Sequence, residues 1–267
     1  MAILGELVFI GLGLHDEYGL SLRGQLVAKS CDVLFGEFYT SQMPGLSISR
    51  LEELVGKKVQ MLSRRQVEED AEKIILSKAK TGRVGLLVPG DPLVATTHVD
   101  LRLRALRAGV SSRIVHAASV VSAAAGSTGL QSYKFGRTAT VPIAHEGDFP
   151  KSVIEVIARN LAMGLHSLVL LEIDVENNQF VSIPTALKLL SSTSETMGER
   201  ISRDTLVVGV ARLESQDMKV MGGRVSEVMR MDFGEPPYVL IFPGSLHFVE
   251  AEALQLFCHA PKELVSS

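Results

Sequence analysis

Short apolar runs that alternate with stretches of helical spacing, from residue 7 to residue 115, restrict this chain more than any other feature. Residues 7–11 are apolar and end in a glycine, as a buried strand does. Leu22, Leu26 and Val27 then predict a helix over 20–29. A second apolar run, 32–35, ends at Gly36 and Glu37, and a weaker one covers 58–62. The clearest helix is expected over 66–80, with Val67, Ala71, Ile74 and Ile75 on one face, Ser63 as its cap and Gly82 as its stop. Residues 84–88 read as another buried strand, closed by Pro89, Gly90, Asp91 and Pro92. A helix over 98–108 follows, with Thr97 and Asp100 at capping-box spacing and Gly109 after it, and then a strand over 113–115. Strands that are apolar throughout, separated by amphipathic helices, predict right-handed βαβ units and a mostly parallel sheet covered on both faces.

The stretch 117–129, rich in Ala, Ser and Gly, marks a change of character. It sets the boundary between an N-terminal α/β domain, 1–116, and a C-terminal α/β domain, 117–267. The second half is mixed. Strands are expected over 138–143, 167–173, 205–210 and 238–242, and helices over 150–163 and 184–190. Between residues 214 and 233 alternation is poor. A length of 267 residues suits one large domain or two small ones.

Charge excludes one class of partner. With 27 Lys+Arg against 30 Asp+Glu, the net charge of −3 offers no basic excess to neutralise phosphates, so nucleic acid is not expected as a partner. Two cysteines, Cys31 and Cys258, can build neither a disulfide framework nor a four-ligand zinc site, and are expected as buried apolar side chains in a reducing compartment. The residues before Phe9 lack a basic stretch, which argues against a signal peptide. The most apolar candidate for a membrane span, 114–130, is diluted by His116, Ser119, Ser122, Ser127, Thr128 and two glycines. A cytoplasmic protein without membrane contact is the expectation.

Two turns carry the candidate chemistry. Gly11, Leu12, Gly13 and Leu14 follow the first strand, where glycines let a ligand approach the backbone. A dinucleotide-binding loop would place a third glycine where Asp16 stands, and a carboxylate opposes a pyrophosphate, although Glu37 does end the second strand. A plain glycine turn remains the alternative. The second turn, 89–92, lies at the carboxyl end of a buried strand, where open α/β sheets bind ligands. Its two prolines fix the backbone, and Asp91 suits hydroxyl or ammonium donors rather than a phosphate. A tight turn and nothing more is again the other reading.

The seven histidines (His15, His98, His116, His145, His166, His247 and His259) show no metal spacing, and neither a nucleophile elbow nor a phosphate-binding loop occurs. His98 and His247 are read as structural. Arg102, Arg104 and Arg107 are read as a solvated helix face.

Taken together, Gly11–Leu14, Pro89–Pro92 and the run Ala117, Ala118, Ser119, Val120 resemble three N-terminal motifs of the tetrapyrrole-methylase-type methyltransferases. Longer strings narrow the resemblance. They are Glu37, Phe38, Tyr39, Thr40, Ser41; residues 89–98; Thr128, Gly129, Leu130 with Tyr133, Lys134, Phe135, Gly136; residues 204–208; and Pro243, Gly244 with Leu246, His247. They point to the branch that methylates a modified histidine of translation elongation factor 2.

That resemblance implies two α/β domains with S-adenosylmethionine held in the cleft between them, and a homodimer. It implies methylation of the amino group of a 3-amino-3-carboxypropyl-histidine on elongation factor 2, up to the trimethylammonium, in diphthamide biosynthesis. S-adenosylhomocysteine is the product and no metal takes part. Carried over by motif, cofactor contacts fall on Leu14, Asp91, Val94, Ser119 and Val120 in the first domain and on Leu171, Leu213 and Tyr238 in the second. Where the family carries a histidine this chain has Tyr238, which is therefore given no catalytic role. No general base is assigned; Asp91 is expected to orient the cofactor. A wide substrate mouth, acidic or lined with carbonyls, is expected for a growing cation. Two other readings remain open: a tetrapyrrole-precursor methyltransferase on the same fold, and a non-catalytic adaptor that binds the elongation factor.

Overall fold

The computed structural model describes residues 5–39, 41–143, 151–197 and 201–265. Thr40, His145 and residue 150, where the helix over 150–163 is expected to start, lie outside the described residues. The chain divides into two compact units, one of residues 1–120 with 174–177, the other of 121–173 with 178–267.

The first unit holds strands β1 (Glu6–Gly11), β2 (Val33–Glu37), β3 (Val59–Leu62), β4 (Arg83–Val88) and β5 (Ser111–Val115). Its helices are α1 (Leu22–Ser30), α2 (Ile48–Val55), α3 (Arg64–Glu68), α4 (Ser77–Ala79) and α5 (His98–Arg107). The strands form one sheet in the order β3-β2-β4-β1-β5, parallel throughout. Along β1, Leu7 and Phe9 pack with Phe35, Leu86, Leu101 and Ala105 on one face. Val8, Ile10 and Leu12 pack with Val27, Leu34, Leu51 and Val55 on the other. Both faces are buried, which is why the strands read as unbroken apolar runs.

Three local expectations for this unit are revised. The helix over 66–80 starts at the Ser63 cap, whose hydroxyl and backbone exchange hydrogen bonds with Gln66, but it is not continuous. A π-helical turn, Glu72–Leu76, intervenes before α4. The wider turn brings the adjacent Ile75 and Leu76 both into the core. Thr97 does not form a capping box with Asp100: its hydroxyl donates to Glu68, and Asp100 sits 3.0 Å from Arg104. Nor is Arg104 a solvated residue. Its guanidinium is mostly buried and donates to Glu72 and to the carbonyls of Val67 and Glu68, tying α5 to α3.

The second unit takes over within α6 (Val120–Thr128). After it come β6 (Ala139–Val141), α7 (Lys151–Ala162), β7 (Ser167–Leu171), the short pair β8 (Ile173–Asp174) and β9 (Gln179–Phe180), and α8 (Ile183–Met197). Then follow β10 (Leu206–Ala211), β11 (Lys219–Arg224), α9 (Val225–Val228), β12 (Tyr238–Phe242), α10 (Phe248–Cys258) and α11 (Lys262–Val265). The sheet order is β11-β10-β12-β7-β6, antiparallel except for the parallel β6–β7 pair. Its core joins Val169, Leu171, Val207, Leu240 and Phe242 to Ile154, Ile157, Ile183, Leu187 and Leu190 of α7 and α8.

Here the expected strand 138–143 contracts to three residues, 167–173 breaks after Leu171, and the helix at 184–190 extends to Met197. The ill-defined stretch 214–233 contains β11 and α9. A buried polar knot fixes α10. Glu250, fully buried, accepts from Gln131 N (2.9 Å), His247 N (2.8 Å), His166 Nε2 (2.9 Å) and the Lys134 ammonium, while His166 Nδ1 accepts from Gly244 N at 2.9 Å. His247 does serve as a structural residue, capping α10. Cys31 and Cys258 are buried free thiols, whose pKa values burial pushes up to about 11 and about 12. Among the described residues no helix is long and apolar enough to cross a membrane.

Candidate functional site

In the first unit the chain leaves β1 toward α1 on one face and leaves β4 toward α5 on the opposite face, although β1 and β4 are neighbours. This reversal opens a crevice at the carboxyl ends of the two strands, the place where open α/β sheets take ligands. The two turns flanking it are tied together. Gly13 N donates to Gly90 O (3.2 Å) and Gly90 N to Gly13 O (2.7 Å). Both residues are left-handed, with φ of 76° and 67°. A Cβ at Gly13 would stand 2.7 Å from Gly19 O, whereas one at Gly90 would meet open space.

Asp91, next in line, is nearly buried and fully engaged. Oδ1 accepts from Leu93 N at 3.2 Å; Oδ2 accepts from Ala117 N at 3.4 Å and lies 2.7 Å from His116 Nδ1. The carboxylate thus joins the loop after β4 to the loop after β5 across the end of β1. Leu14, Asp91, Val94 and Ser119 stand on the loops after β1, β4 and β5, and Val120 opens α6 directly after the last of them; these strands are adjacent, so the structure brings the five together at one sheet edge. Leu14, Val94 and Val120 are half-buried and Ser119 is buried. Asp16, where a dinucleotide loop has glycine, caps the local turn at Tyr18 N. Apolar side chains beside one carboxylate fit a nucleoside carrying a cation better than a diphosphate.

Behind the Asp91 turn, His98 is buried, with Nδ1 3.0 Å from the Pro92 carbonyl and Nε2 3.4 Å from the buried Glu37 carboxylate. Burial holds its pKa below the usual imidazole value, so it is a neutral ring that anchors the turn. Sequence reading treated His98 as structural and Glu37 as a strand end, and missed that they meet. It also missed His116, whose partner Asp91 lies 25 residues away.

In the second unit Leu171 ends β7, Tyr238 begins β12 and Leu213 follows β10 by two residues. Because β12 runs antiparallel to both neighbours, with Ala211 opposite Tyr238 and Leu170 opposite Val239, these three residues also share one edge. Arg212, almost fully buried at φ 50°, clamps that edge. Its guanidinium donates to Asp217 Oδ2 (2.6 Å), to the Asp217 carbonyl (2.8 Å) and to the carbonyls of Phe233 and Glu235. Its backbone N donates to Pro237 O. The loops bearing Leu213 and Tyr238 are thereby pinned to each other. The Tyr238 hydroxyl donates to Gly234 O, and burial, with Glu235 nearby, pushes its pKa up. An arginine straight after five apolar strand residues was the available signal for this clamp.

Comparison with known proteins places this geometry. Tetrapyrrole (corrin/porphyrin) methylases match residues 6–228, and the chain belongs to that family of methyltransferases. Within it, the chain is 42% identical over 266 residues to the diphthine synthase of Methanosarcina mazei, covering 98% of this chain and 99% of that protein. It is 41% identical over 260 residues to the diphthine synthase of Methanothermobacter thermautotrophicus, covering 97% and 98%. A crystal structure of diphthine synthase superposes with a TM-score of 0.87 at 36% identity, over 97% of this chain and 98% of that one.

Proposed function

We propose that this chain carries out the diphthine synthase reaction: transfer of methyl groups from S-adenosylmethionine to the amino group of the 3-amino-3-carboxypropyl-histidine of translation elongation factor 2. The observation that carries the reading is the 42% identity to a diphthine synthase across 98% of the chain, which has both the Gly11–Leu14 and the Pro89–Pro92 turns. S-adenosylmethionine, held by the loops that carry Leu14, Asp91 and Ser119, would supply a methyl group on a positively charged sulfur able to keep the bonding electron pair.

The residues then have a limited task. Asp91, fixed through Leu93, Ala117 and His116, orients the donor. Leu14, Val94, Val120, Leu171 and Leu213 keep water away, and Ser119 and Tyr238 complete the contacts. Holding nitrogen, carbon and sulfur in line is worth on the order of 7–11 kcal/mol of barrier. An apolar wall lowers the ammonium pKa, so that the attacking amine is unprotonated, and the released proton goes to water or a carboxylate. The chain acts as a cytoplasmic homodimer. Exposed Leu22 and Leu26 on α1 and Phe248 and Phe257 on α10 support association.

The test is incubation with S-adenosylmethionine and elongation factor 2 bearing the carboxypropylated histidine, followed by mass spectrometry. Mass gains of successive methyl groups on that histidine are expected. Transfer to a tetrapyrrole precursor instead, or no binding of S-adenosylhomocysteine by calorimetry, overturns the reading.

A further inference from the structure

We infer that Tyr39 and Arg64 form a subsite for the carboxylate of the substrate's amino-acid head. The inference rests on the function proposed above and names the part of the substrate that this edge of the sheet recognises.

Strands β2 and β3 pair with Glu37 opposite Leu62, and each chain leaves the sheet at that level. Two residues further on stand Tyr39 and Arg64, and the Arg64 guanidinium carbon lies 5.4 Å from the centre of the Tyr39 ring. On its other side β2 pairs with β4, Gly36 opposite Leu87. The pair therefore stands beside the Asp91 turn, at the same carboxyl edge.

Two observations point to a ligand. The Tyr39 side chain is 4% exposed, yet its hydroxyl has no hydrogen-bond partner among the described residues. A buried donor without an acceptor is costly, and native structures rarely keep one without a use. Burial and the carboxylates of Glu37, Glu68 and Glu176 hold the phenol protonated, so it remains a donor. Independently, Arg64 is exposed and makes no side-chain ion pair among the described residues; its backbone N donates to Glu176 at 3.1 Å and its guanidinium lies over the Tyr39 ring. A guanidinium over the ring of a phenol whose O–H has no acceptor offers one charge and further N–H and O–H donors, which match a carboxylate with its two acceptor oxygens and one charge. The surrounding carboxylates disfavour a doubly charged phosphate and favour an anion with a cation on the same carbon. An α-amino acid head is such a group, before and after methylation.

The experiment compares wild type with Tyr39→Phe, Arg64→Lys and Arg64→Met. It measures kcat/KM for carboxypropylated elongation factor 2 and the Kd of S-adenosylhomocysteine. A hydrogen bond to a charged group sets the scale: a fall of about 10-fold for Tyr39→Phe and up to about 100-fold for Arg64→Met, with Arg64→Lys between them, while cofactor affinity stays unchanged. A small imidazole carrying the 3-amino-3-carboxypropyl group is expected to compete with the protein substrate. Its methyl ester is not, and Arg64→Met removes the difference. If wild type is active but the variants keep its kcat/KM, or acid and ester compete equally, the subsite is overturned while the proposed function stands. If wild type transfers no methyl to elongation factor 2, both fall.

Discussion

Replacing Glu250 with Gln tests the buried knot that seats α10. In the folded chain burial alone would raise this carboxyl's pKa. The N–H of His247, the Lys134 ammonium, the N–H of Gln131 and the His166 ring together outweigh that and hold it at about 2, against an ordinary 4.5. The difference of about 2.5 pKa units, at 1.36 kcal/mol each, corresponds to roughly 3 kcal/mol of stability at neutral pH. Because the folded value is depressed, this contribution is complete above about pH 5 and is lost as pH falls toward 2; about 1.4 kcal/mol of it remains at pH 3. Glutamine keeps the shape, loses the charge and turns an amide N–H toward groups that are themselves donors. Thermal melts followed by circular dichroism should show Glu250→Gln melting roughly 6–12 °C lower at pH 7, at about 2–4 °C per kcal/mol for a unit of this size. The gap should narrow by more than half between pH 7 and pH 3. An unchanged melting temperature, or a gap that stays constant across that range, would refute the reasoning.

Three other perturbations bear on the candidate site. Asp91→Asn should weaken S-adenosylhomocysteine binding about 5- to 100-fold by calorimetry, since one Asp91 oxygen faces two donors, and should leave the pH profile of kcat unchanged. Retained affinity with lost turnover would exclude an orienting role. Gly90→Ala should cost only about 1–2 kcal/mol of left-handed strain, whereas Gly13→Ala, which also meets Gly19 O, should cost clearly more in urea unfolding. Arg212→Met should lower both melting temperature and cofactor affinity, because Asp217 and two carbonyls lose their donor; Arg212→Lys should recover only part of each.

The parallel sheet was legible because its strands are buried on both sides and carry no alternation to misread, as in Val8, Phe9 and Ile10. β11 was not. It is an edge strand whose Gly222 and Gly223 erase the pattern, and a Cβ at Gly222 would touch Ala260 at 3.0 Å. α2 escaped notice because so short a helix shows only Leu51 and Val55 as buried anchors. α10 was hidden by the exposure of Phe248, Leu256 and Phe257, which blurs its apolar stripe. At the site, prolines and glycines advertised the Asp91 turn. What holds that turn reaches further: His116 follows β5, 25 residues on, and His98, in the helix after the turn, lies against Glu37 at the end of β2. Such pairings depend on sheet order, which local periodicity does not encode.

The strand order has a consequence for biosynthesis. β1 is synthesised well before its two neighbours, β4 and β5, which begin at residues 83 and 111. Until both have been translated, β1 has two open edges and no lasting partner. Pairings between such distant segments form slowly and leave sticky surface uncovered meanwhile. The nascent chain therefore needs shelter from the synthesis of β1 until β5 is complete, and a truncation before residue 111 removes the strand that closes one side of β1.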